Sequence, residues 1–283
     1  MDLGQPPDRT AVDWAAPITA EKMYGDWSVD GEAIHAVLDR SRQPAPAGQL
    51  NDLLGELGVR PGDRLLDIGG RDATHGLALA GRYGCVVTSV DPSRTNLDRG
   101  RRLVAADPAG GLVDLVAGAI EAIPVGDHAV DTVWCRDVLT HIRDLDRALA
   151  ECRRVVRPGG PLVVYQTFAT EWMEPGEAAR LYPALAAVPE RMAPHDLEAA
   201  AGRAGYDLTT RLVVGSQWRE AWEEDGTGRT GEQLLLAARM LRAQDEMLGE
   251  LGHDLYRLEL ANALWGVYQM IGKLEPRIYV FRS

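Results

Sequence analysis

Short apolar segments rich in β-branched residues alternate with longer segments of helical periodicity through the middle of the chain. Continuous apolar runs are typical of strands covered on both faces, and strand–helix alternation is typical of a parallel, doubly wound sheet. The fold class is therefore predicted to be α/β with a doubly wound, mostly parallel sheet. The predicted strands cover 64–68, 86–90, 113–117, 130–135 and 161–167, and the helices lie near 73–83, 94–106 and 144–156.

The pattern changes after residue 168. Residues 169–193 show no clear period and are predicted to be irregular, and a helix from Pro194 to Gly205 and a strand near 208–214 follow. Helical stripes then predict two long helices, 230–251 and 253–271, before a last strand over Arg277–Arg282. Their stripes consist of Leu234, Ala237, Leu241, Leu248 and Leu251, and of Tyr256, Leu260, Ala263, Val267 and Ile271. We expect this insertion to close over a pocket.

The amino-terminal region differs in composition from the rest. Residues 1–20 contain three prolines and are expected to form a loose arm, and residues 21–57 are predicted to be helical in two pieces interrupted by Pro44 and Pro46. The resulting division has four parts: 1–57 as arm and helices that form part of a cap, 58–215 as the core, 216–273 as a helical cap insertion, and 274–283 as the final strand of the core.

Charge and cysteine content narrow the class of protein. The 283 residues have a net charge of −12, which disfavours nucleic acid and anionic membranes as partners. The first residues lack the pattern of a signal peptide, and no apolar stretch approaches the roughly 18 residues of a membrane span, so a cytoplasmic location is expected. Cys85, Cys135 and Cys152 show no metal-ligand spacing, and no metal site is predicted.

The first predicted strand ends in a turn that indicates a nucleotide-type pocket. Asp67 is followed by Gly69 and Gly70, and Asp91 stands 24 residues later at the end of the second strand. Small turn residues let a ligand approach the backbone, and the following helix offers free N–H groups to an anionic group. A carboxylate at the end of the second strand can accept hydrogen bonds from ribose hydroxyls.

Six segments in order resemble the motifs of class I S-adenosylmethionine-dependent methyltransferases. They are Leu65–Gly69, Val90–Asp91, Gly118–Pro124, Asp127–Trp134, Val138–Asp144 and Val155–Gly160. The resemblance implies a seven-stranded Rossmann-like sheet, S-adenosyl-L-methionine as cofactor and S-adenosyl-L-homocysteine as product. It also implies that Asp67 helps to hold the ammonium group of the methionyl part. The implied cofactor-binding residues are Asp67, Gly69, Gly70, Arg71, Asp91, Pro92, Ala119, Ile120, Cys135 and Asp137.

Two positions depart from the family pattern. The family turn has three glycines, of which only Gly69 is present, because Arg71 and Ala73 stand at the other two positions. Arg71 can occupy this turn if its φ is negative, with its side chain directed away from the ligand or toward a carboxylate. Ala119 replaces the acid that usually binds the adenine amine, so backbone groups, apolar neighbours such as Ile120 or a carboxylate supplied elsewhere would hold adenine.

The candidate acceptor side follows the fourth strand and extends into the cap. His141 is a candidate general base, because its unperturbed pKa lies near neutrality, and a structural role is equally compatible. Arg136 is a second catalytic candidate, and with Asp137 it would form an ion pair or orient the acceptor. The candidate acceptor-binding residues are Tyr24, Trp27, Trp218, Glu220, Trp265 and Tyr268, at least half of which could simply pack the cap; 223–225 is predicted to be a solvated loop.

These features predict methyl transfer to a small molecule such as a secondary metabolite. O-methylation is slightly preferred because of His141. One alternative is a methyltransferase-like fold that catalyses another reaction, such as ring closure, with the cofactor as a spectator. A dinucleotide-dependent oxidoreductase is disfavoured, since residues 69–74 do not fit G-x-G-x-x-G. The expected partner is a small molecule, and the Leu/Ala-rich helices at 230–271 fit either a cap or a homodimer surface.

Overall fold

A seven-stranded sheet lies at the centre of the computed structural model, which describes residues 13, 15–24 and 48–282. The strand order is β3-β2-β1-β4-β5-β7-β6; the first five strands are parallel, and β7 is antiparallel to both neighbours. The predicted fold class is confirmed. The strands are β1 (Arg64–Ile68), β2 (Val86–Asp91), β3 (Val113–Ala117), β4 (Thr132–Arg136), β5 (Pro161–Ala169), β6 (Asp207–Val213) and β7 (Leu274–Arg282).

The helices begin and end where local chemistry directs them. Ser93 and Asp144 each accept a hydrogen bond from a backbone N–H in the first turn of the helix that follows. The helices are α1 (Gln49–Glu56), α2 (Thr74–Tyr83), α3 (Arg94–Ala106), α4 (Leu145–Val155), α5 (Pro175–Ala184), α6 (Pro194–Arg203), α7 (Gln217–Glu224), α8 (Arg229–Arg242) and α9 (Gln244–Met270). Short 3₁₀ segments cover Gly110–Leu112, Leu139–His141 and Pro189–Met192.

Apolar side chains of the parallel strands alternate between two buried clusters, one on each face of the sheet. Leu66 and Ile68 of β1 join the cluster that contains the buried face of α4, whereas Leu65 joins the cluster that contains Leu50 and Leu54 of α1. Successive strand residues point to opposite faces, so this alternation covers both sides of the sheet. Buried helices on both faces give the doubly wound arrangement.

The register brings polar residues of three strands to the same edge. Asp67 of β1 lies opposite Ser89 of β2 and Trp134 of β4. Asp91 ends β2, and Asp137 directly follows β4. Because the carboxyl ends of parallel strands meet at one edge, these three carboxyl groups lie at the place where ligands bind in open α/β sheets.

Several predicted boundaries were wrong after residue 168. The stretch 169–193 contains α5, which begins with a capping box between Glu174 and Glu177, and the turn Pro189–Met192. The helix predicted over 230–251 is divided, because α8 ends at Arg242 and α9 begins at Gln244. The predicted break between 251 and 253 is confirmed: Gly252 interrupts α9 with φ 74° and ψ 165°, and the part after it ends at Met270. Residues 217–224 form a helix, and Glu223 of the predicted solvated loop accepts a 2.6 Å hydrogen bond from the backbone N–H of Thr230.

The predicted apolar stripes match the buried faces of the last two helices only in part. Leu234, Leu241 and Leu251 are exposed, and so is Ile271. The buried residues of α8 and α9 are Thr230, Ala237 and Met240, and Tyr256, Ala261, Ala263, Gly266 and Gln269. The buried set therefore consists largely of small and polar residues, with Met240 and Tyr256 as the large ones, and most of it lies off the predicted stripes. The homodimer surface and the four-part domain division stay predictions.

Further sequence expectations concern the amino-terminal helices, membrane spans and the cysteines. The predicted helical pieces before residue 48 fall largely on 25–47, which lie outside the described residues, whereas α1 is found within 21–57. In the part of the chain that the structure describes, no helix has the length and apolar character that a membrane span requires. All three cysteines are buried and unpaired.

Arg154 of α4 holds the loop that carries the Gly118–Pro124 motif. Its guanidinium donates to the carbonyl oxygens of Ile123 and Val125, and to the carboxylates of Glu151 and Asp127. Glu151 in turn accepts a bond from the backbone N–H of Ile123. The helix therefore fixes the position of the loop through charged hydrogen bonds.

Replacing this guanidinium is expected to weaken the fold. Arg154→Leu leaves two carbonyl oxygens without their donor, and the free energy of unfolding should fall by about 1–2 kcal/mol. Denaturant unfolding followed by circular dichroism measures the change. Arg153→Leu is the matched control, because Arg153 is the neighbouring residue on α4 and the bonds to Ile123 and Val125 come from Arg154. Equal losses in the two variants would contradict a specific role of Arg154.

Candidate active site

The turn after β1 requires glycine at two positions, Gly69 and Gly70, for different structural reasons. Gly69 has φ 65°, and a Cβ there would lie 2.3 Å from Val138 Cγ2. A Cβ on Gly70 would lie 1.8 Å from Ser89 Oγ and 2.4 Å from Asp67 Oδ2. The backbone of Gly70 therefore rests directly on the buried Asp67–Ser89 pair, and any side chain would separate them.

Arg71 corrects one sequence expectation. Its φ is 52°, and that of Ala73 is 59°, so both occupy the left-handed region although neither is glycine. The negative φ under which Arg71 was expected to fit the turn is not found. The backbone N–H of Arg71 donates a 3.0 Å hydrogen bond to Asp91 Oδ2, which holds this conformation in place. The turn thus keeps its left-handed conformation at the second and third family positions without glycine there, at a cost of about 1–2 kcal/mol per residue.

Asp91 is the most completely held carboxylate of the site. It is buried at the end of β2, and it accepts hydrogen bonds from the backbone N–H of Arg71 and Ser93 and from Asn96 Nδ2, at 3.0, 2.9 and 3.1 Å. Pro92, the next residue, is exposed. The carboxylate therefore has a fixed orientation between the β1 turn and the first turn of α3.

Asp67 is a buried acid with few partners. The side chain is 2% exposed, and the hydroxyl of Ser89 donates to Oδ2 at 3.1 Å. Burial is the largest influence on the pKa of Asp67 and raises it, as does the charge of Asp91, whereas the Ser89 bond and Arg136 lower it. Together these influences give a pKa of about 7. Asp67 therefore titrates near neutral pH and would gain from a cation beside it.

Asp137 follows β4 in a strained backbone conformation, with φ 52°. Its backbone N–H donates to the carbonyl oxygen of Tyr165, and its Oδ1 accepts from the backbone N–H and the hydroxyl of Thr167, both at 3.1 Å. Burial raises the pKa of Asp137 to about 6, and the charge of Arg136 is the largest opposing influence. A non-glycine residue is held here by neighbouring strands, as is common at functional sites.

Arg136 makes aromatic and histidine contacts and no direct ion pair with Asp137. Its guanidinium carbon lies 5.3 Å from the ring centroid of Tyr165, and Nη1 points to His75 Nδ1 at 3.4 Å. Burial, with the charge of Arg136, lowers the pKa of His75 to about 4, so this imidazole is neutral near pH 7 and can accept the bond. The ion-pair alternative for Arg136 is not supported by this geometry.

His141 lies in the 3₁₀ turn directly after β4 and is exposed. Its Nδ1 is 3.1 Å from the carbonyl oxygen of Ala186. A carbonyl oxygen can only accept, so Nδ1 carries the proton in the neutral imidazole and Nε2 is left as the basic nitrogen. The structure therefore leaves His141 in a tautomer that can accept a proton through Nε2.

The predicted adenine-side residues are mostly part of the core. Ile120 is 3% exposed and Cys135 is 1% exposed, and both belong to the same buried cluster. Burial raises the pKa of the Cys135 thiol. Ala119 forms an isolated bridge with Ala122 and contributes no side-chain acceptor. The residues predicted to lie beside adenine therefore offer backbone groups and apolar side chains.

The cap aromatic residues separate into two places. Trp218 of α7 is buried and stacks in parallel on Tyr165, with ring centroids 5.2 Å apart. Trp265 and Tyr268 pack instead in the apolar cluster between α9 and α5. Glu220 accepts a bond from the hydroxyl of Ser216, Tyr24 is 66% exposed, and Trp27 lies outside the described residues. Of the predicted acceptor-binding residues, the structure thus stacks Trp218 on a central strand.

Sequence reasoning missed three polar residues at this edge: Tyr165, Thr167 and Gln269. Tyr165 and Thr167 interrupt the apolar run of β5 near its carboxyl end, and Gln269 is a fully buried amide on α9. A polar side chain inside an otherwise apolar buried segment was the available signal, because such a group needs a hydrogen-bond partner.

Comparison with known proteins agrees with this geometry. Residues 66–164 match the family described as a methyltransferase domain. The glycine/sarcosine/dimethylglycine N-methyltransferase of Actinopolyspora halophila is 29% identical over 57% of this chain and 29% of its own length. The 27-O-demethylrifamycin SV methyltransferase of Amycolatopsis mediterranei is 34% identical over 40% of this chain and 41% of its own. The crystal structure of the [4+2]-cyclase SpnF covers 94% of this chain and 97% of that one, with a TM-score of 0.66 and 19% identity.

The sheet, the motif order and the matched segment agree with one another. Residues 66–164 match a methyltransferase domain, as the resemblance of the motifs to class I S-adenosylmethionine-dependent methyltransferases predicted. The chain spans less than half the length of both curated relatives named above. The cofactor of this family is S-adenosylmethionine.

The buried acid Asp67 predicts a specific pH dependence of stability. Its folded pKa of about 7 exceeds the ordinary value of 3.8, so its favourable contribution is complete below about pH 4 and is lost as the pH rises through 7. Asp67→Asn should therefore gain stability over the wild type between pH 4 and 7, by at most about 4 kcal/mol, and keep that gain above pH 7.

Denaturant unfolding across this pH range measures the difference. Asp114→Asn removes an exposed carboxyl group of β3 and is the matched control. If both variants follow the same pH dependence, the burial of Asp67 is not its cause.

Proposed function

We propose that the protein transfers a methyl group from S-adenosylmethionine to a small molecule. One observation carries this proposal: Asp67, the left-handed turn at Gly69 and the fixed carboxylate of Asp91 stand at adjacent carboxyl ends of β1 and β2. Open α/β sheets bind ligands at this edge. The matched methyltransferase domain covers all three residues.

The residues fit the chemical groups of such a cofactor. Asp91 accepts three bonds through two oxygens with about four acceptor sites, which leaves room for a ribose hydroxyl. Asp67 has one side-chain donor among the described residues, so an ammonium group would stabilise its ionised form. Backbone groups near Ala119 would hold adenine. The cofactor supplies an already activated methyl group, and the protein mainly positions the acceptor and excludes water.

We infer O-methylation from His141. The bond of Nδ1 to Ala186 leaves Nε2 able to take the proton that an attacking hydroxyl group loses. Trp218, stacked on Tyr165, provides a flat apolar wall near the same edge. The likeness to the 27-O-demethylrifamycin SV methyltransferase supports an acceptor that is methylated on oxygen and is a secondary metabolite.

A second candidate is a cyclisation in which the cofactor is a spectator. The likeness to the [4+2]-cyclase SpnF extends over nearly the whole of both chains, which favours this candidate. Arg71 and Ala73 at the glycine positions are compatible with it, because a spectator need not be turned over. The two candidates differ in whether S-adenosylhomocysteine forms.

Titration calorimetry with S-adenosylmethionine and S-adenosylhomocysteine tests the cofactor. Dissociation constants on the order of micromolar are expected, and Asp91→Asn should weaken both by at least about tenfold, since it removes the charge that accepts hydroxyl groups. Asp98→Asn, an exposed change on α3, is the control. Absence of binding to the wild-type protein would refute the proposed methyl transfer.

Replacing His141 tests the acceptor atom. With a hydroxylated acceptor that is turned over, His141→Ala should lower kcat by about 10²-fold, because the base is lost, and leave cofactor affinity unchanged. His195→Ala, whose side chain is 83% exposed, is the control. Unchanged turnover would remove the preference for oxygen, and consumption of the acceptor without S-adenosylhomocysteine would favour cyclisation.

A further inference from the structure

A continuous chain of hydrogen bonds runs from the cap to the end of β4. Arg219 of α7 donates to Gln269 Oε1 through Nε and Nη2, at 2.9 and 2.7 Å. Gln269 Nε2 donates to Thr167 Oγ1 at 3.2 Å, and that hydroxyl donates to Asp137 Oδ1 at 3.1 Å. Gln269 and Thr167 are 4% and 0% exposed, so water does not compete with these bonds.

Donor and acceptor chemistry fixes the direction of every bond in this chain. A guanidinium has only donors, so Arg219 must be met by the amide oxygen of Gln269. The amide nitrogen of Gln269 then faces Thr167, whose oxygen accepts. The single proton of the Thr167 hydroxyl is consequently directed to Asp137 Oδ1.

We propose that Gln269 is a positioning residue. Arg219 of the cap fixes the orientation of the Gln269 amide, the amide nitrogen donates to Thr167 Oγ1, and the Thr167 hydroxyl is therefore directed to Asp137 Oδ1. Among the described residues, Oδ1 receives both donors of Thr167, whereas Oδ2 receives none. The arrangement assigns one oxygen of Asp137 to the fold and leaves the other for a bound molecule. What Oδ2 binds depends on the proposed function, whereas the direction of the chain does not.

The guanidinium that starts the chain is itself held from several sides. Its Nη1 donates to Gln233 Oε1 at 2.8 Å, and its carbon lies 5.0 Å from the centroid of Trp222. A Cβ on Gly266 would lie 1.8 Å from Gln233 Oε1 and 2.9 Å from Arg219 Nη1. A glycine in α9 therefore makes the room in which α7 and α8 meet the helix that carries Gln269.

Other ionisable groups lie around Asp137 and also influence its pKa. They are Arg136 at the end of β4, Cys135 before it, His141 in the following turn, Tyr165 on β5 and Arg219 on α7. Burial raises the pKa of Asp137, and the Thr167 bonds and the positive charges lower it. Loss of the hydroxyl bond should therefore favour the protonated acid.

Two isosteric substitutions distinguish the effect of hydrogen-bond direction on Asp137 from the effect of an added negative charge near Arg219. Gln269→Glu places a carboxylate beside Arg219 and removes the amide donor to Thr167 Oγ1, so that the hydroxyl turns toward the new carboxylate and away from Asp137. The Tyr165 side chain, which also bonds the Thr167 side chain, is unchanged in all variants. Gln233→Glu adds the same carboxylate to the same guanidinium and leaves the donor to Thr167 intact. Thr167→Val removes the hydroxyl without any charge.

The titration of Asp137 is followed by NMR in protein labelled with ¹³C at the aspartate carboxyl carbons, with Asp137→Asn to assign the signal. The titration midpoint is expected to rise by about one pH unit in Gln269→Glu and in Thr167→Val, and by less than half as much in Gln233→Glu. Equal shifts in the two glutamate variants, or no shift in Thr167→Val, would overturn the proposal. The measurement needs neither cofactor nor acceptor, so its outcome is independent of whether methyl transfer occurs.

Discussion

The parallel pairing of β1 with β2 and β4 is the constraint on which the site depends. This register places Asp67 beside Ser89 and brings the ends of the three strands to one edge of the sheet. Carboxyl groups at that edge lie close together, which is unfavourable unless each has donors. Asp91 takes its donors from backbone N–H groups and from Asn96, and Asp137 takes them from Thr167. Burial raises the pKa of Asp67 to about 7, so this acid is partly protonated near neutral pH.

The turn at Arg71 shows how such a site can keep its shape when its sequence changes. Glycine is favoured in the left-handed region because it has no Cβ, but a hydrogen bond can hold another residue there. The bond from the Arg71 N–H to Asp91 has this effect, and it links the turn after β1 to the acid after β2. The two family motifs thus support each other through the backbone, independently of the side chain at position 71.

The sequence predicted the central sheet well and the cap poorly, for a physical reason. Strands in the middle of a parallel sheet are buried on both faces, so their apolar runs are unambiguous, as at Arg64–Ile68 and Thr132–Arg136. The helices of the cap make contact through alanine, glycine and buried amides, and several of their leucines are exposed, so hydrophobic periodicity misplaced their faces. Side-chain pairing such as Gln269 with Thr167 joins residues 102 positions apart, which no local pattern encodes.

The break at Gly252 divides α9 into two mechanically different parts. The second part runs on to Met270, only a few residues before β7 begins at Leu274, and Thr170 bonds the carbonyl oxygen of Gly272 between them. That half of the helix is therefore tied to the strand it leads into, and any displacement of it would also displace a strand next to β5. The break itself requires glycine, because the backbone conformation at position 252 is strained for any residue with a side chain.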